Sequence, residues 1–182
     1  MAELYFVRHG QSQWNVSDQI CGSTDIPLTG YGKEQAIETG KKILAMDIKA
    51  DEILCSPLIR AADTAKLISE VTGIPVRVEP NLAEQNFGKW EGSSPRNSEE
   101  FHQAKLNFIN SYDGGESMFR VAQRIYNVLD DIKADTLNNN KTYILVAHNG
   151  IARFVKSYFE DMTNEAFAAF GVGNCEVTKF EF

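Results

Sequence analysis

The chain has 182 residues, 43% hydrophobic and 24% charged, values ordinary for a globular domain with a sizeable core and foreign to a disordered or collagen-like chain. Lys and Arg total 18 against 25 Asp and Glu, and this net charge of -7, with no basic block, argues against a nucleic-acid partner. No apolar stretch approaches the ~20 residues of a bilayer-spanning helix, the opening Met1 to His9 carries no leader pattern, and three cysteines without paired or metal-like spacing (Cys21, Cys55, Cys175) fit a reducing cytoplasm.

The continuous apolar run Leu4-Tyr5-Phe6-Val7 predicts a strand buried on both faces of a parallel sheet, ending at Arg8-His9-Gly10. After a turn at Pro27-Leu28-Thr29-Gly30, the positions Ala36, Ile37, Gly40, Ile43 and Leu44 recur at helical spacing and predict a first crossover helix. Ile53-Leu54-Cys55 reads as a second strand. Ser56 is placed to cap the next helix with Pro57 at its first position, and Gly73 to close it. Val76 to Val78 predicts a third strand, followed by an irregular stretch from Pro80 to Gly92 whose mix of glycine and aromatics suits a functional loop. A helix presenting Phe119, Ala122, Ile125, Tyr126, Leu129 and Ile132 on one face follows Gly114-Gly115-Glu116-Ser117 and stops at Asn138 to Asn140. Tyr143 to Ala147 is another buried strand, ending at His148-Asn149-Gly150, and two short helices and a final strand near Glu176 to Phe182 complete the chain. Alternating strands and helices imply a three-layer α/β/α sandwich around a mostly parallel sheet, and the lack of linkers or repeats implies one domain over 1–182.

Three of these strands end in polar chemistry, at Arg8-His9, at Ser56 to Arg60 and at His148. Ligands of open parallel sheets bind beyond the carboxyl ends of the strands. Arg60, in the first turn of its helix, can lean back over the helix N-terminus toward that edge. Two arginines and two histidines gathered in an acidic protein require a compact anion to offset their repulsion, and bidentate guanidinium groups favour phosphate. Each residue alone has a plainer explanation as a hydrogen-bonded strand-end side chain. His102, in a charged segment, reads as a surface residue.

Phe6-Val7-Arg8-His9-Gly10-Gln11-Ser12-Gln13-Trp14-Asn15, Ile26 to Ala36, Ser56-Pro57-Leu58-Ile59-Arg60-Ala61 and Ala147-His148-Asn149-Gly150, in that order, resemble the motifs of the histidine phosphatase superfamily, in its phosphoglycerate mutase-like branch. The resemblance implies a metal-independent phosphoryl-transfer enzyme without a cofactor, in which His9 is the nucleophile and becomes phosphorylated. Arg8, Arg60 and His148 would hold the phosphoryl oxygens, with Asn15 assisting and the backbone at Cys21-Gly22 contributing. Glu84 falls where the family keeps its proton donor. The partner implied is a small phosphorylated metabolite, in the range of sugar phosphates, phosphoglycerate and α-ribazole phosphate.

Mutases of this type usually read His-Gly-Asn at the second histidine, whereas here the order is His148-Asn149-Gly150, so the backbone contacts there stay unassigned. Phe87 to Gly92 resembles the phosphatase version of its loop, and the segment 93–113 is too short for the insert that closes over substrate in cofactor-dependent mutases. A short cover keeps water away from a phosphohistidine poorly, which favours hydrolysis. Phe101, His102, Lys105 and Phe108 are expected in that cover, setting substrate preference. Three other arrangements compete: a cysteine phosphatase built on Cys55 and Arg60, whose loop is one residue short; a metal site of His9, His148 and Glu84, opposed by the neighbouring arginines; and a phosphate-binding module without turnover. Glu79 and Glu91 are rivals of Glu84 for the acid.

Overall fold

The computed structural model describes residues 3–182. Among them, five strands form one sheet in the order β3-β2-β4-β1-β5: β1 (Glu3–Arg8), β2 (Glu52–Cys55), β3 (Val76–Val78), β4 (Tyr143–Ala147) and β5 (Val177–Glu181). The first four are parallel, and β5 runs antiparallel to β1. Side chains alternate across a pleated strand, and here the alternation feeds two cores. Leu4, Phe6 and Leu145 face one hydrophobic cluster, while Tyr5, Val7, Ile144 and Val146 face the other. With both faces buried, the apolar runs of β1 and β4 are what a central position in a parallel sheet demands.

One face is covered by α2 (Gly30–Ala45) and α3 (Ile59–Thr72), the opposite one by α5 (Met118–Asn139) and α6 (Asn149–Phe159). This is the expected three-layer sandwich. Short helices α1 (Gln13–Val16), α4 (Glu99–Lys105) and α7 (Asn164–Ala169) lie in the connections. Thr29 caps α2 by accepting from the Gly32 N–H at 2.9 Å, and Gly73 closes α3 in the left-handed conformation at φ 76.

Two local expectations need correction. Ser56 does not cap α3, which begins at Ile59 after Leu58 as N-cap. The Ser56 hydroxyl is occupied by the Leu58 N–H and by His148, and Asp25 accepts from the Ile59 N–H at 2.7 Å in its place. Helix α5 is rotated from its expected face: Met118, Val121, Ile125, Val128, Leu129 and Ile132 are buried, while Phe119 is 61% exposed. A period of 3.6 residues admits two overlapping stripes here. The sheet takes the one with β-branched residues, and Ala122 and Tyr126 pack only partly against the core. Neither α1 nor α4 was predicted by periodicity, since neither spans enough residues to show one.

Candidate active site

Strands β2, β4 and β1 are neighbours, so the residues that follow them meet at one edge. The His9 N–H donates to the Ala147 carbonyl (2.9 Å), the Ser56 N–H to the Val146 carbonyl (3.0 Å), and the His9 and His148 ring centroids are 5.2 Å apart. A cavity of about 350 Å³ opens there, with Arg8, His9, Asn15, Cys21, Glu84 and Gly150 on its wall. Arg60 and His148 are fully buried directly behind it.

His9 Nδ1 lies 2.7 Å from the carbonyl oxygen of Gly10. An oxygen that only accepts requires the proton on Nδ1, which leaves Nε2 with its lone pair. Burial first, then the charges of Arg60 and Arg8, hold His9 well below its usual pKa, so the ring is neutral at pH 7. Gly10 is required for this geometry, because a Cβ there would lie 2.3 Å from the Gly32 carbonyl oxygen. His148 is likewise held neutral, by burial and then by Arg60 and His9. Its Nε2 is 2.7 Å from Ser56 Oγ. That hydroxyl also accepts from the Leu58 N–H, and His148 Nδ1 has no protein partner.

The guanidinium groups are anchored to carbonyls, not to carboxylates. Arg8 Nη1 donates to the Val172 carbonyl at 2.6 Å, and burial, followed by repulsion from Arg96, draws the Arg8 pKa to about 10, still charged at neutral pH. Arg60 donates through Nη1 to Thr24 (2.9 Å) and through Nη2 to Gly22 (2.7 Å). Both arginines retain an unpartnered buried Nε. Asn15 forms a capping box with Ser12 on α1, and its Oδ1 accepts from the Ser12 N–H at 2.9 Å and from Asn174 at 3.4 Å. With that oxygen occupied, the Asn15 amide hydrogens are what it offers the cavity.

Glu84 is buried, and its carboxylate caps the start of α6. Oε2 accepts from the Gly150 N–H (2.8 Å) and Oε1 from the Gln85 N–H (2.9 Å). Burial raises its pKa, with the two N–H donors and the charge of Arg153 opposing. This contact also gives Gly150 its reason: a Cβ there would stand 2.3 Å from Oε1. Asn149 accepts from the Val172 N–H at 2.8 Å. The inverted His148-Asn149-Gly150 order thus has a structural account, with Gly150 seating Glu84 and Asn149 tying down the loop that also holds Arg8.

Glu91 does something different. Oε1 accepts from the N–H groups of Ser23 and Phe87, and Oε2 from the Gly22 N–H and the Thr24 hydroxyl, all within 3.1 Å. It is absent from the cavity wall and clamps the loop whose carbonyls hold Arg60. Gly22 therefore has its N–H engaged by Glu91 and its carbonyl by Arg60, while Cys21 reaches the wall with a thiol that burial pushes up to about 11. Cys55 lies in the sheet core away from the cavity, its thiol also pushed up to about 11 by burial. Of the expected cover residues, Phe101 and Lys105 line the cavity, Phe108 packs on Phe167, and His102 is half-buried. The sequence reading omitted Asn174, whose amide donates to the His9 carbonyl at 2.8 Å, as well as Arg96 and Arg153 on the wall.

The arrangement can present a neutral imidazole nitrogen to a tetrahedral anion held by cationic and N–H donors, with a buried carboxyl beside it. Comparison with known proteins agrees with that chemistry. Residues 4–182 match the family model of the histidine phosphatase superfamily (branch 1). A probable phosphoglycerate mutase GpmB of Yersinia enterocolitica is 30% identical, covering 100% of this chain and 86% of the relative. An uncharacterized phosphatase PhoE of Bacillus subtilis is 32% identical over 81% of this chain and 72% of its own. The structure of a mycobacterial glucosyl-3-phosphoglycerate phosphatase in complex with VO3 superposes with a TM-score of 0.84 at 27% identity, covering 97% of this chain and 90% of that one. Sequence motifs, sheet topology and site geometry converge, and this chain belongs to the histidine phosphatase superfamily.

Proposed function

We propose that this chain is a phosphatase, acting as one domain on a small phosphate monoester through a phosphohistidine on His9. The observation that carries the reading is the Nδ1 hydrogen bond of His9 to Gly10, which leaves Nε2 unprotonated beside Arg8 and Arg60. The Nε2 lone pair attacks phosphorus as the bond to the ester oxygen breaks, and Glu84 gives its proton to the departing alkoxide. Water then loses a proton to the Glu84 carboxylate and attacks phosphorus. The P–N bond breaks, and its electron pair returns to Nε2. Arg8, Arg60, His148 and the Asn15 amide stabilise the charge spread over the phosphoryl oxygens, with Cys21 closing the wall and Gly22 acting through its grip on Arg60.

Hydrolysis is favoured over mutase transfer because the cover, residues 93–113, holds only the short helix α4 and shields a phosphohistidine from water poorly. The mutase name of one relative makes transfer to a second alcohol the reading to test alongside. No helix among the described residues is long and apolar enough to cross a membrane, and the three cysteines are free, which supports action in the cytoplasm on a soluble metabolite. The test is release of phenol from a chromogenic aryl phosphate in the presence of a chelator. Activity in the wild type and its loss in His9→Ala is expected; loss on chelation with recovery on adding zinc or magnesium refutes the metal-independent mechanism.

A further inference from the structure

The proton on His9 is held by an oxygen of the next residue, so whatever fixes the Gly10 carbonyl also fixes the nucleophile. That carbonyl, 2.7 Å from Nδ1, is the one acceptor the ring has among the described residues. Turned away, it would free the proton to move to Nε2, where it blocks attack on phosphorus. Glycine has the widest backbone freedom of any residue. The direction of the Gly10 carbonyl must therefore be imposed by its surroundings.

Two side chains from α2 and α3, the helices covering one face of the sheet, supply the constraint. A trans peptide is a rigid plane in which the N–H and the C=O point in opposite directions. The plane after Gly10 contains the acceptor carbonyl and the Gln11 N–H, and this N–H donates to Oε1 of Gln35 on α2 at 2.9 Å. The plane before Gly10 is held on both sides. The Gly10 N–H donates to Thr64 Oγ1 on α3 at 3.0 Å, and the His9 carbonyl accepts from the Asn174 amide at 2.8 Å. Thr64 is fully buried, and its own hydroxyl proton goes to the Arg60 carbonyl at 2.7 Å, so toward Gly10 it can only accept. One hydroxyl thus ties the peptide that aims His9 to the backbone that carries the Arg60 guanidinium. Gln35 and Thr64 are both absent from the cavity wall.

We infer that Gln35 and Thr64 are positioning residues for the nucleophile, a role that rests on the phosphohistidine reading of His9. They lock the two peptide planes flanking Gly10, which keeps the proton of His9 on Nδ1 and leaves the Nε2 lone pair free for phosphorus.

Nitrogen NMR of the labelled free enzyme tests this directly, because protonated and unprotonated ring nitrogens resonate apart and His9→Gln identifies the signals of His9. At neutral pH the wild type shows a protonated Nδ1 and a bare Nε2. In Thr64→Val, which keeps the shape without the hydroxyl, and in Gln35→Met, a form with the proton on Nε2 becomes visible. The single-turnover release of nitrophenol from nitrophenyl phosphate then falls by about 10- to 100-fold, the reach of one or two buried hydrogen bonds. Inhibition by inorganic phosphate changes by less than about 3-fold, since the groups that hold the anion stay in place. Thr64→Ser, which keeps the oxygen, retains both the wild-type signals and most of the rate. If Thr64→Val does not fold, Gln35→Met, at a partly exposed position, carries the comparison. Wild-type His9 signals in every folded variant that lacks one of these acceptors overturn the role, whatever the rate, and leave the packing of Gly10 on Gly32 as what holds the carbonyl. Absence of phosphoryl transfer from any ester in the wild type counts against the phosphatase reading instead, and the His9 signals of the free enzyme still decide the positioning role.

Discussion

Replacing Glu91 by Gln separates a clamp from a catalytic acid. Each carboxylate oxygen of Glu91 accepts from two donors within 3.1 Å: Ser23 N–H and Phe87 N–H on Oε1, Gly22 N–H and the Thr24 hydroxyl on Oε2. An amide turns one of those acceptors into a donor, so at least two hydrogen bonds are lost whichever way it is oriented. Hydrogen bonds to a charged group contribute about 1.5–3 kcal/mol each, which places the loss near 3 kcal/mol where the freed N–H groups are rehydrated and near 6 kcal/mol where they stay buried. With a urea m-value of about 1–3 kcal/mol/M, the denaturation midpoint should fall by about 1 M or more. Activity should fall as well, because the Gly22 and Thr24 carbonyls that hold Arg60 lose their support. This loss should be the same for alkyl and nitrophenyl phosphates, since neither the acid nor the nucleophile has been touched. A midpoint unchanged within about 1 kcal/mol of stability, or a loss confined to the alkyl ester, would refute the clamp and return Glu91 to candidacy as the acid.

Glu84→Gln should show the opposite pattern. Turnover of an alkyl phosphate falls by roughly 10²- to 10⁴-fold, while a nitrophenyl ester, whose leaving group needs no proton, still phosphorylates the enzyme and gives a burst before a slow steady state; equal losses on both esters without a burst would move the acid elsewhere. The buried histidines set a pH dependence of stability. His9 and His148 are held neutral in the fold but protonate below about pH 6.5 once unfolded, so the unfolded state binds more protons and stability falls as pH drops below that value, by up to about 1.4 kcal/mol per pH unit for each ring. Chemical denaturation between pH 7 and 5 should therefore show a shallower decline in His9→Gln than in the wild type, and an identical slope would contradict the neutral buried ring.

How much of this was legible in the sequence follows from how local each signal is. Strands β1 and β4 announce themselves because a run apolar on both faces has few other uses, and the polar residues closing them, His9 and His148, inherit their place from the strand ends. Glu84 was read from resemblance alone; its contact with Gly150, 66 residues away, is tertiary. The same holds for Glu91, which looks like any loop carboxylate until its five donors arrive from two separate segments. Asn174 was hidden by a missing direction. The final strand was recognised, but only its antiparallel pairing with β1 brings the preceding loop, 171–175, to the end of β1, where it holds Arg8, His9 and Asn15. The stripe of α5 was misplaced because Phe119 outranks Met118 and Val121 in hydrophobic bulk, yet packing against a sheet rewards shape across the whole face. Arg153 lies one turn beyond the recognised motif at His148, within reach of helical spacing, and its burial is what marks it.

The most direct measurement of the central claim is trapping of the covalent intermediate. Labelled substrate, with Glu84→Gln used to slow dephosphorylation, is quenched rapidly under alkaline conditions and the peptides are mapped. The account predicts an acid-labile, base-stable phosphoryl group on the peptide containing His9, absent from His9→Ala. Label on Cys55, on His148, or on no residue while phosphate is still released would contradict it.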